Sequence, residues 1–98
     1  MQDNSHTDYC FEWDDEKNHI NIKKHGISFE SARFVFADEN HVILYDDIHS
    51  VNEERYIAIG MVDKILYVVH TIRNERIRII SARTATEAER RIYYDGLF

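Results

Sequence analysis

The chain lacks proline and has only three glycines, one cysteine and no long apolar run. With so few helix-breaking and turn residues, we expect long regular elements joined by short turns. The single cysteine, Cys10, excludes an intrachain disulfide, and no cysteine–histidine spacing of the zinc-site type occurs. No run reaches the ~18 apolar residues of a membrane span, and no charged-then-apolar leader opens the sequence. We therefore expect a reduced, soluble, cytoplasmic protein with no membrane partner.

Positive charge is absent from the start of the chain. The first 16 residues contain six acidic side chains and no lysine or arginine, so they carry the whole net charge of −6. The one basic concentration is the segment 71–91, which holds six arginines against three glutamates. The net charge argues against a nucleic-acid partner, whereas the arginine-rich segment favours one.

Local signals predict an α+β fold: two N-terminal helices, a four-stranded antiparallel β-meander and a C-terminal helix. Residues 1–10 are polar and aperiodic, which predicts a flexible tail before a single domain over 11–98. Asp14 or Asp15 can cap a helix that runs to about Lys24, and Gly26 can end it. A second helix is expected over 29–37, and a last one from about Thr86 to Gly96. The predicted strands are 41–47, 54–62, 65–72 and 76–82.

Two-residue turns at Asp63-Lys64 and Asn74-Glu75 assign the strand residues to two faces. The predicted core face contains Ile57, Ile59, Met61, Leu66, Val68, His70, Ile72, Ile77 and Ile79. The other face contains Tyr56, Ala58, Gly60, Tyr67, Val69, Thr71, Arg73, Arg76 and Arg78. Aromatic rings and guanidinium groups of this kind suit RNA, but an ordinary solvated face or a partner-covered face has the same composition.

Two blocks of sequence carry a family likeness. The first is Phe11-Glu12-Trp13-Asp14 with Asn21, Lys24-His25-Gly26-Ile27, Phe29-Glu30 and Ala32. The second is Glu54-Arg55, Ile59-Gly60, Thr71, Arg73, Ile77-Arg78-Ile79-Ile80-Ser81-Ala82-Arg83, Glu89 and Tyr93. Over these positions the chain resembles the BrnT family, the toxins of a type II toxin–antitoxin system.

The resemblance implies a RelE-like fold and an endoribonuclease that needs neither a metal ion, another cofactor nor the ribosome. It also implies neutralisation by a BrnA-type antitoxin in a heterotetramer of two toxins and two antitoxins. In that family the antitoxin binds the operator DNA, so the toxin reaches DNA only through its partner.

Metal-free RNA cleavage needs a base, an acid and cations around the phosphate. The predicted catalytic residues are Lys24, His25, Glu54, Arg73 and Arg83. The predicted substrate-binding residues are Tyr67, Thr71, Arg78 and Arg55, and no metal ligand is expected. This site requires that the arginines of the third and fourth strands converge with the lysine–histidine pair that ends the first helix.

Each assignment has an alternative. Lys24 and His25 could merely complement the dipole of the helix they end, and strand-end arginines often form only surface ion pairs. Glu54 more readily orients an arginine than acts as a base. Arg83 falls on the core side of its strand, so it reaches the site only through a bulge or the end of the strand.

The leading hypothesis is a toxin that cleaves single-stranded RNA to a 2′,3′-cyclic phosphate and a 5′-hydroxyl. The alternative is a catalytically weak or inactive homologue that serves as an antitoxin-binding module. Direct DNA binding is a weaker reading, because no recognition-helix motif occurs and the net charge opposes it.

Overall fold

The computed structural model describes residues 10–97, so all of the predicted tail except Cys10 lies outside the described residues. The elements in chain order are β1 (Phe11–Glu12), α1 (Asp15–His25), α2 (Phe29–Ala32), a 3₁₀ helix (Arg33–Ala37), β2 (Val42–Tyr45), β3 (Tyr56–Val62), β4 (Lys64–Arg73), β5 (Arg76–Thr84) and α3 (Glu87–Asp95). The α+β class is confirmed. None of the helices in this part of the chain has the length and apolar character needed to cross a bilayer.

The helices begin and end at residues with capping chemistry. Asp14 and Ser28 each accept a hydrogen bond from a backbone N–H in the first turn of α1 and α2, respectively. Thr86 and Glu89 form a reciprocal capping box at the start of α3. Gly26 ends α1 with a φ of 72°, a left-handed conformation that glycine adopts without a steric penalty.

The strands form one five-stranded mixed sheet in the order β1-β5-β4-β3-β2. The expected antiparallel meander is present as β2 to β5, but β1 adds a parallel strand beside β5. The expectation of four strands was therefore wrong. A two-residue strand has no periodicity that a sequence pattern could reveal, and it forms because the edge of β5 offers it hydrogen bonds, including one from the Ile77 N–H to the Cys10 carbonyl at 2.9 Å.

The turn between β3 and β4 differs from the predicted one. Val62 pairs with Lys64, which leaves Asp63 alone at the tip with a φ of 63°. The predicted two-residue turn was wrong by one position, and a shift of one residue moves every side chain of a strand to the other face. Ala58 and Gly60 consequently lie on the face opposite to the one predicted for them.

The turn between β4 and β5 agrees with the prediction. Arg73 pairs with Arg76, and the two residues between them, Asn74 and Glu75, have φ values of 54° and 65°. Two successive positive φ values are typical of a type I′ hairpin turn.

The two faces of the sheet have different partners. On one, which we call the inner face, Ala58, Leu66, Val68, Ile77, Ile79 and Ala82 pack against Phe29, Ala32, Val35 and Phe36. The opposite face, which we call the arginine face, carries Ile57, Ile59, Met61, Ile65, Tyr67, Val69, Thr71, Arg73, Arg76, Arg78, Ser81 and Arg83. Helix α3 packs on part of the arginine face through Tyr93, which is buried with Ile57, Ile59 and Ile65.

A bulge in β5 determines where Arg83 lies. Val69 pairs with Ser81 and His70 pairs with Ile79, so Ile80 has no partner on β4. This extra residue reverses the alternation of β5 and brings Arg83 to the arginine face.

Candidate functional site

The arginine face carries two groups of charged side chains near opposite ends of β4. We call the first the loop cluster, and it consists of Asp46, His49, Glu53, Arg55 and Arg73. We call the second the Arg83 cluster, and it consists of Tyr67, Arg83 and Glu89. Tyr67 and Arg73 are six positions apart on β4, which corresponds to roughly 20 Å of strand.

Glu53 joins the two arginines of the loop cluster. Its carboxylate accepts a hydrogen bond from the Arg73 guanidinium at 3.1 Å and lies 3.8 Å from Arg55 Nε. Arg55 Nε is buried and has no hydrogen-bond partner among the described residues. Although Nε is closed to solvent, the Arg55 side chain as a whole is 33% exposed, so a ligand can contact the outer part of this guanidinium.

A cavity of about 400 Å³ opens at the loop cluster. It is lined by Ile48, His49, Val51, Asn52, Glu53 and Arg55. Ile48 and Val51 are each 81% exposed, so apolar surface lies beside the charged groups. A cavity with a cation and neighbouring apolar side chains can accept a phosphate and the face of a base.

An Asp–His pair lies in the same loop. His49 Nδ1 is 3.0 and 3.1 Å from the two carboxylate oxygens of Asp46. The Asp46 side chain is only 11% exposed, whereas that of His49 is 66% exposed. A nearly buried carboxylate thus holds an imidazole whose ring is open to solvent.

In the Arg83 cluster the guanidinium is clamped on two sides. It donates hydrogen bonds to both carboxylate oxygens of Glu89, at 2.8 and 2.9 Å, and its central carbon lies 3.9 Å from the centre of the Tyr67 ring. A bidentate pair and an aromatic stack restrict the guanidinium to one orientation.

These contacts determine the charge states in the Arg83 cluster. The hydrogen bonds from Arg83 lower the pKa of the Glu89 carboxyl, and the same bonds raise the pKa of Arg83. Burial raises the pKa of the Tyr67 hydroxyl, and the Glu89 carboxylate raises it further. At neutral pH the cluster therefore holds an ionised carboxylate, a guanidinium cation and a neutral phenol.

Arg78 occupies the edge of the arginine face where β1 joins the sheet. Its guanidinium lies 3.2 Å from the Glu12 carboxylate, and both side chains are half-buried. Four of the five arginines on this face or in its loop, Arg55, Arg73, Arg78 and Arg83, thus have a glutamate within 4 Å; the fifth is the exposed Arg76 in the β4–β5 turn region. These local pairs reduce the positive potential that the face presents to solvent.

Comparison with known proteins identifies the family. A family model described as the ribonuclease toxin BrnT of type II toxin–antitoxin systems matches residues 13–89. The chain belongs to the BrnT family. Among solved structures, it is similar to the crystal structure of the Brucella abortus ribonuclease toxin BrnT, with a TM-score of 0.62 and 24% sequence identity over 81% of this chain and 99% of that one. No curated protein sequence matches. The structural likeness, at this identity, shows the shared fold.

The fold of this BrnT-family chain brings some of the predicted site residues together. Arg55 and Arg73 both approach Glu53, and Thr71 donates a hydrogen bond from its hydroxyl to the Glu54 carbonyl at 2.6 Å. The Glu54 carboxylate itself accepts a hydrogen bond from the Tyr56 hydroxyl at 2.9 Å. In this arrangement Glu53, rather than Glu54, presents its carboxylate to the arginines.

The predicted convergence of the arginines with Lys24 and His25 was wrong. His25 lines a cavity beside Asp63 and Lys64, at the start of β4, whereas Arg73 ends the same strand. Ten residues of extended strand place these groups roughly 30 Å apart. Arg83 lies at the same end as His25, but its guanidinium stacks on Tyr67 on the arginine face. The catalytic roles of Lys24 and His25 stay predictions, with no arginine of the loop cluster beside them.

Sequence reasoning missed Asp46, His49 and Glu53. Neither the histidine nor the two acids belong to the predicted set of site residues. The spacing of Asp46 and His49 by three residues, directly after a strand, is a weak signal because a side chain can reach back over such a turn. Only the folded loop shows that these groups meet Arg55.

Proposed function

We propose that this BrnT-family toxin cleaves single-stranded RNA without a metal ion, another cofactor or the ribosome. The products would be a 2′,3′-cyclic phosphate and a 5′-hydroxyl. The observation that carries the proposal is the gathering of Arg55, Arg73, Arg78 and Arg83 around one face of the sheet. Guanidinium groups bind phosphate oxygens in pairs and can stabilise the charge that builds up on a phosphorane.

The glutamate partners are compatible with phosphate binding. A half-exposed ion pair such as Arg73–Glu53 contributes only ~0–1 kcal/mol, so a phosphodiester can replace that carboxylate at little cost. The bidentate Arg83–Glu89 pair is held more firmly. Before that exchange, Glu53 holds the Arg73 guanidinium in place at 3.1 Å and Glu89 holds that of Arg83 at 2.8 Å. We therefore assign Arg73 to the transition state, and Arg55, Arg78 and Tyr67 to binding of the strand. Arg83, roughly 20 Å from Arg73 along β4, would bind a different phosphate of the same strand. Thr71 is 3% exposed, so it would act only by holding the Glu54 carbonyl.

The biological setting follows from the family. We propose that a BrnA-type antitoxin neutralises the toxin in the cytoplasm, in a heterotetramer of two toxins and two antitoxins. Contact with operator DNA would then occur only through the antitoxin. This part of the proposal rests on membership of a type II toxin–antitoxin family.

A cleavage assay with a matched pair of variants tests the proposal. The parent chain, Arg73→Ala and Arg33→Ala are incubated with end-labelled RNA in the presence of a chelator. Arg33→Ala is the control, since it removes the same charge and an equivalent ion pair, Arg33–Glu30 at 2.9 Å, from the helical segment that packs on the inner face. We expect cleavage by the parent and the control, and a loss on the order of 10²-fold or more in Arg73→Ala. The new 3′ ends should carry a cyclic phosphate.

Two outcomes contradict the proposal. One is a parent chain that cuts no RNA, and the other is cleavage that disappears on chelation. An inert parent that still binds the antitoxin would support the alternative function, an antitoxin-binding module. In the same assay, Lys24→Ala and His25→Ala test whether the end of α1 takes part.

A further inference from the structure

The loop between β2 and β3 is fastened at both ends. The Asp46 N–H donates to the Arg55 carbonyl at 2.9 Å, and the Ser50 hydroxyl donates to the Asp46 carbonyl at 2.6 Å. The same hydroxyl accepts a hydrogen bond from the Arg55 N–H at 2.9 Å. These bonds hold Asp46, and the imidazole attached to it, at a defined position beside Arg55.

His49 differs from the other histidines of the described chain. His70 is buried in the core, and desolvation lowers its pKa to about 4. His41 is half-buried, with its Nδ1 against the Asp38 carbonyl. Among residues 10–97, His49 is the histidine whose ring nitrogen contacts a carboxylate, and it also lines the cavity that contains Arg55.

The contact with Asp46 determines which ring nitrogen of His49 can act as a base. When Nδ1 carries the hydrogen and donates it to the carboxylate, Nε2 has a free lone pair. The carboxylate also stabilises the imidazolium that forms when Nε2 takes up a proton. Because the His49 ring is largely exposed and Asp46 is not, a substrate can reach Nε2 without breaking the pair.

We propose that His49 is the general base of the ribonuclease reaction and that Asp46 positions it; this inference rests on the proposed function. Nε2 takes the proton of the 2′-hydroxyl, and the 2′-oxygen forms a bond to phosphorus. The bond from phosphorus to the 5′-oxygen breaks, its electron pair stays on that oxygen, and water supplies the proton that completes the 5′-hydroxyl. The hydroxide left behind takes the proton from His49, which returns the imidazole to its neutral form.

The guanidinium groups of Arg55 and Arg73 lie where they could bind the phosphate of the linkage that His49 would act on. Arg55 lines the cavity with His49, and its side chain is 33% exposed. Arg73 is joined to the cavity through Glu53, at 3.1 Å. A phosphodiester bound to these guanidinium groups would lie beside His49.

The test compares steady-state cleavage by the parent, His49→Ala, Asp46→Asn and His19→Ala. His19→Ala is the control, because His19 is an exposed histidine on α1 outside the proposed site. We expect His49→Ala to lower kcat by about 10²- to 10⁴-fold with little change in KM, and added imidazole to restore part of the rate. Asp46→Asn should lower kcat by roughly tenfold or more, again with KM nearly unchanged, since the amide cannot stabilise the imidazolium as a carboxylate does.

A modified substrate distinguishes a base from an acid. Once the parent's cleavage site is mapped, the same RNA is made with sulfur in place of the 5′-oxygen at that linkage. A thiolate leaves without being protonated, so the defect of a missing base persists and that of a missing acid disappears. We expect the defect of His49→Ala to persist.

Several results would overturn the assignment. The first is a kcat of His49→Ala within twofold of that of an active parent. The second is a defect of His49→Ala that disappears on the sulfur substrate. The third is a folded His49→Ala variant whose rate added imidazole does not raise. Unfolding midpoints measured for each variant separate a chemical defect from a loss of fold. A parent chain that cuts no RNA would remove the proposed function itself, whereas an active parent with an unimpaired His49→Ala variant removes only the role of His49.

Discussion

Mild acid should destabilise this fold through His70. The side chain is 3% exposed, its ring meets Phe36 edge-on at a centroid distance of 4.9 Å, and its Nδ1 lies 3.3 Å from the Val68 carbonyl. Burial, which disfavours the charged form, lowers the pKa of this imidazole from 6.5 to about 4. In the unfolded chain the same group is solvated and takes up its proton near 6.5.

The sign and size of the effect follow from proton linkage. Between pH 6.5 and pH 4 the unfolded state binds a proton that the native state does not, so the free energy of unfolding falls as the pH falls. The loss reaches about 2 kcal/mol at pH 5 and about 3 kcal/mol below pH 4. Asp38 and Glu89 have lowered pKa values, so their stabilising contribution is lost mainly below pH 5, outside the window that isolates His70.

The assay is urea unfolding of the parent chain and of His70→Leu at pH 7.5 and pH 5. The leucine cannot titrate, so the variant should lose about 2 kcal/mol less than the parent between these pH values. The comparison is between the losses of unfolding free energy from pH 7.5 to pH 5. Any change in stability that the leucine causes at both pH values therefore cancels. Equal losses in the two proteins would show that the folded state does not hold this imidazole neutral, and the reasoning from burial would be refuted.

Two further predictions concern the packing of the helical segments on the sheet. The Asn21 side chain forms hydrogen bonds with both the N–H and the carbonyl of Ala82, at 3.1 and 2.8 Å, and with the Ile27 carbonyl at 2.8 Å. Asn21→Ala should therefore lower the free energy of unfolding, measured by urea denaturation, by about 3 kcal/mol. A loss below about 1 kcal/mol would contradict this. A Cβ on Gly60 would lie 2.8 Å from Val35 Cγ1. Gly60→Ala should therefore lower the thermal unfolding midpoint by an amount that corresponds to a loss of ~1–3 kcal/mol in the free energy of unfolding. An unchanged midpoint would contradict the close approach of Gly60 to Val35.

The helices and most of the strands could be predicted because their signals are local. Asp14, one of the two expected caps, begins α1, α3 begins after Thr86, and Gly26 ends α1 in the left-handed conformation. Capping depends on groups within one turn of the chain, so the sequence contains all of the information it needs. The alternation of β4 likewise predicted that Tyr67, Thr71 and Arg73 share a face.

The candidate site was predicted only in part, because it depends on register and on contacts distant in sequence. One residue at Asp63 decided the face of all of β3, and one unpaired residue, Ile80, brought Arg83 to the arginine face. No local pattern distinguishes these turns and bulges from their alternatives, whose energies differ through packing.

By itself, the sequence determined the helices, the four strands of the meander, the family and the supply of arginines for one face of a sheet. Tertiary structure decided which of these residues meet: Asn21 binds α1 to β5, which leaves His25 near the β3–β4 turn and far from Arg73. It also decided that the β2–β3 loop folds so that His49, held by Asp46, lines one cavity together with Arg55. The physical reason is that secondary structure follows from near neighbours, whereas a site needs side chains from separate elements at distances that only the packed fold defines.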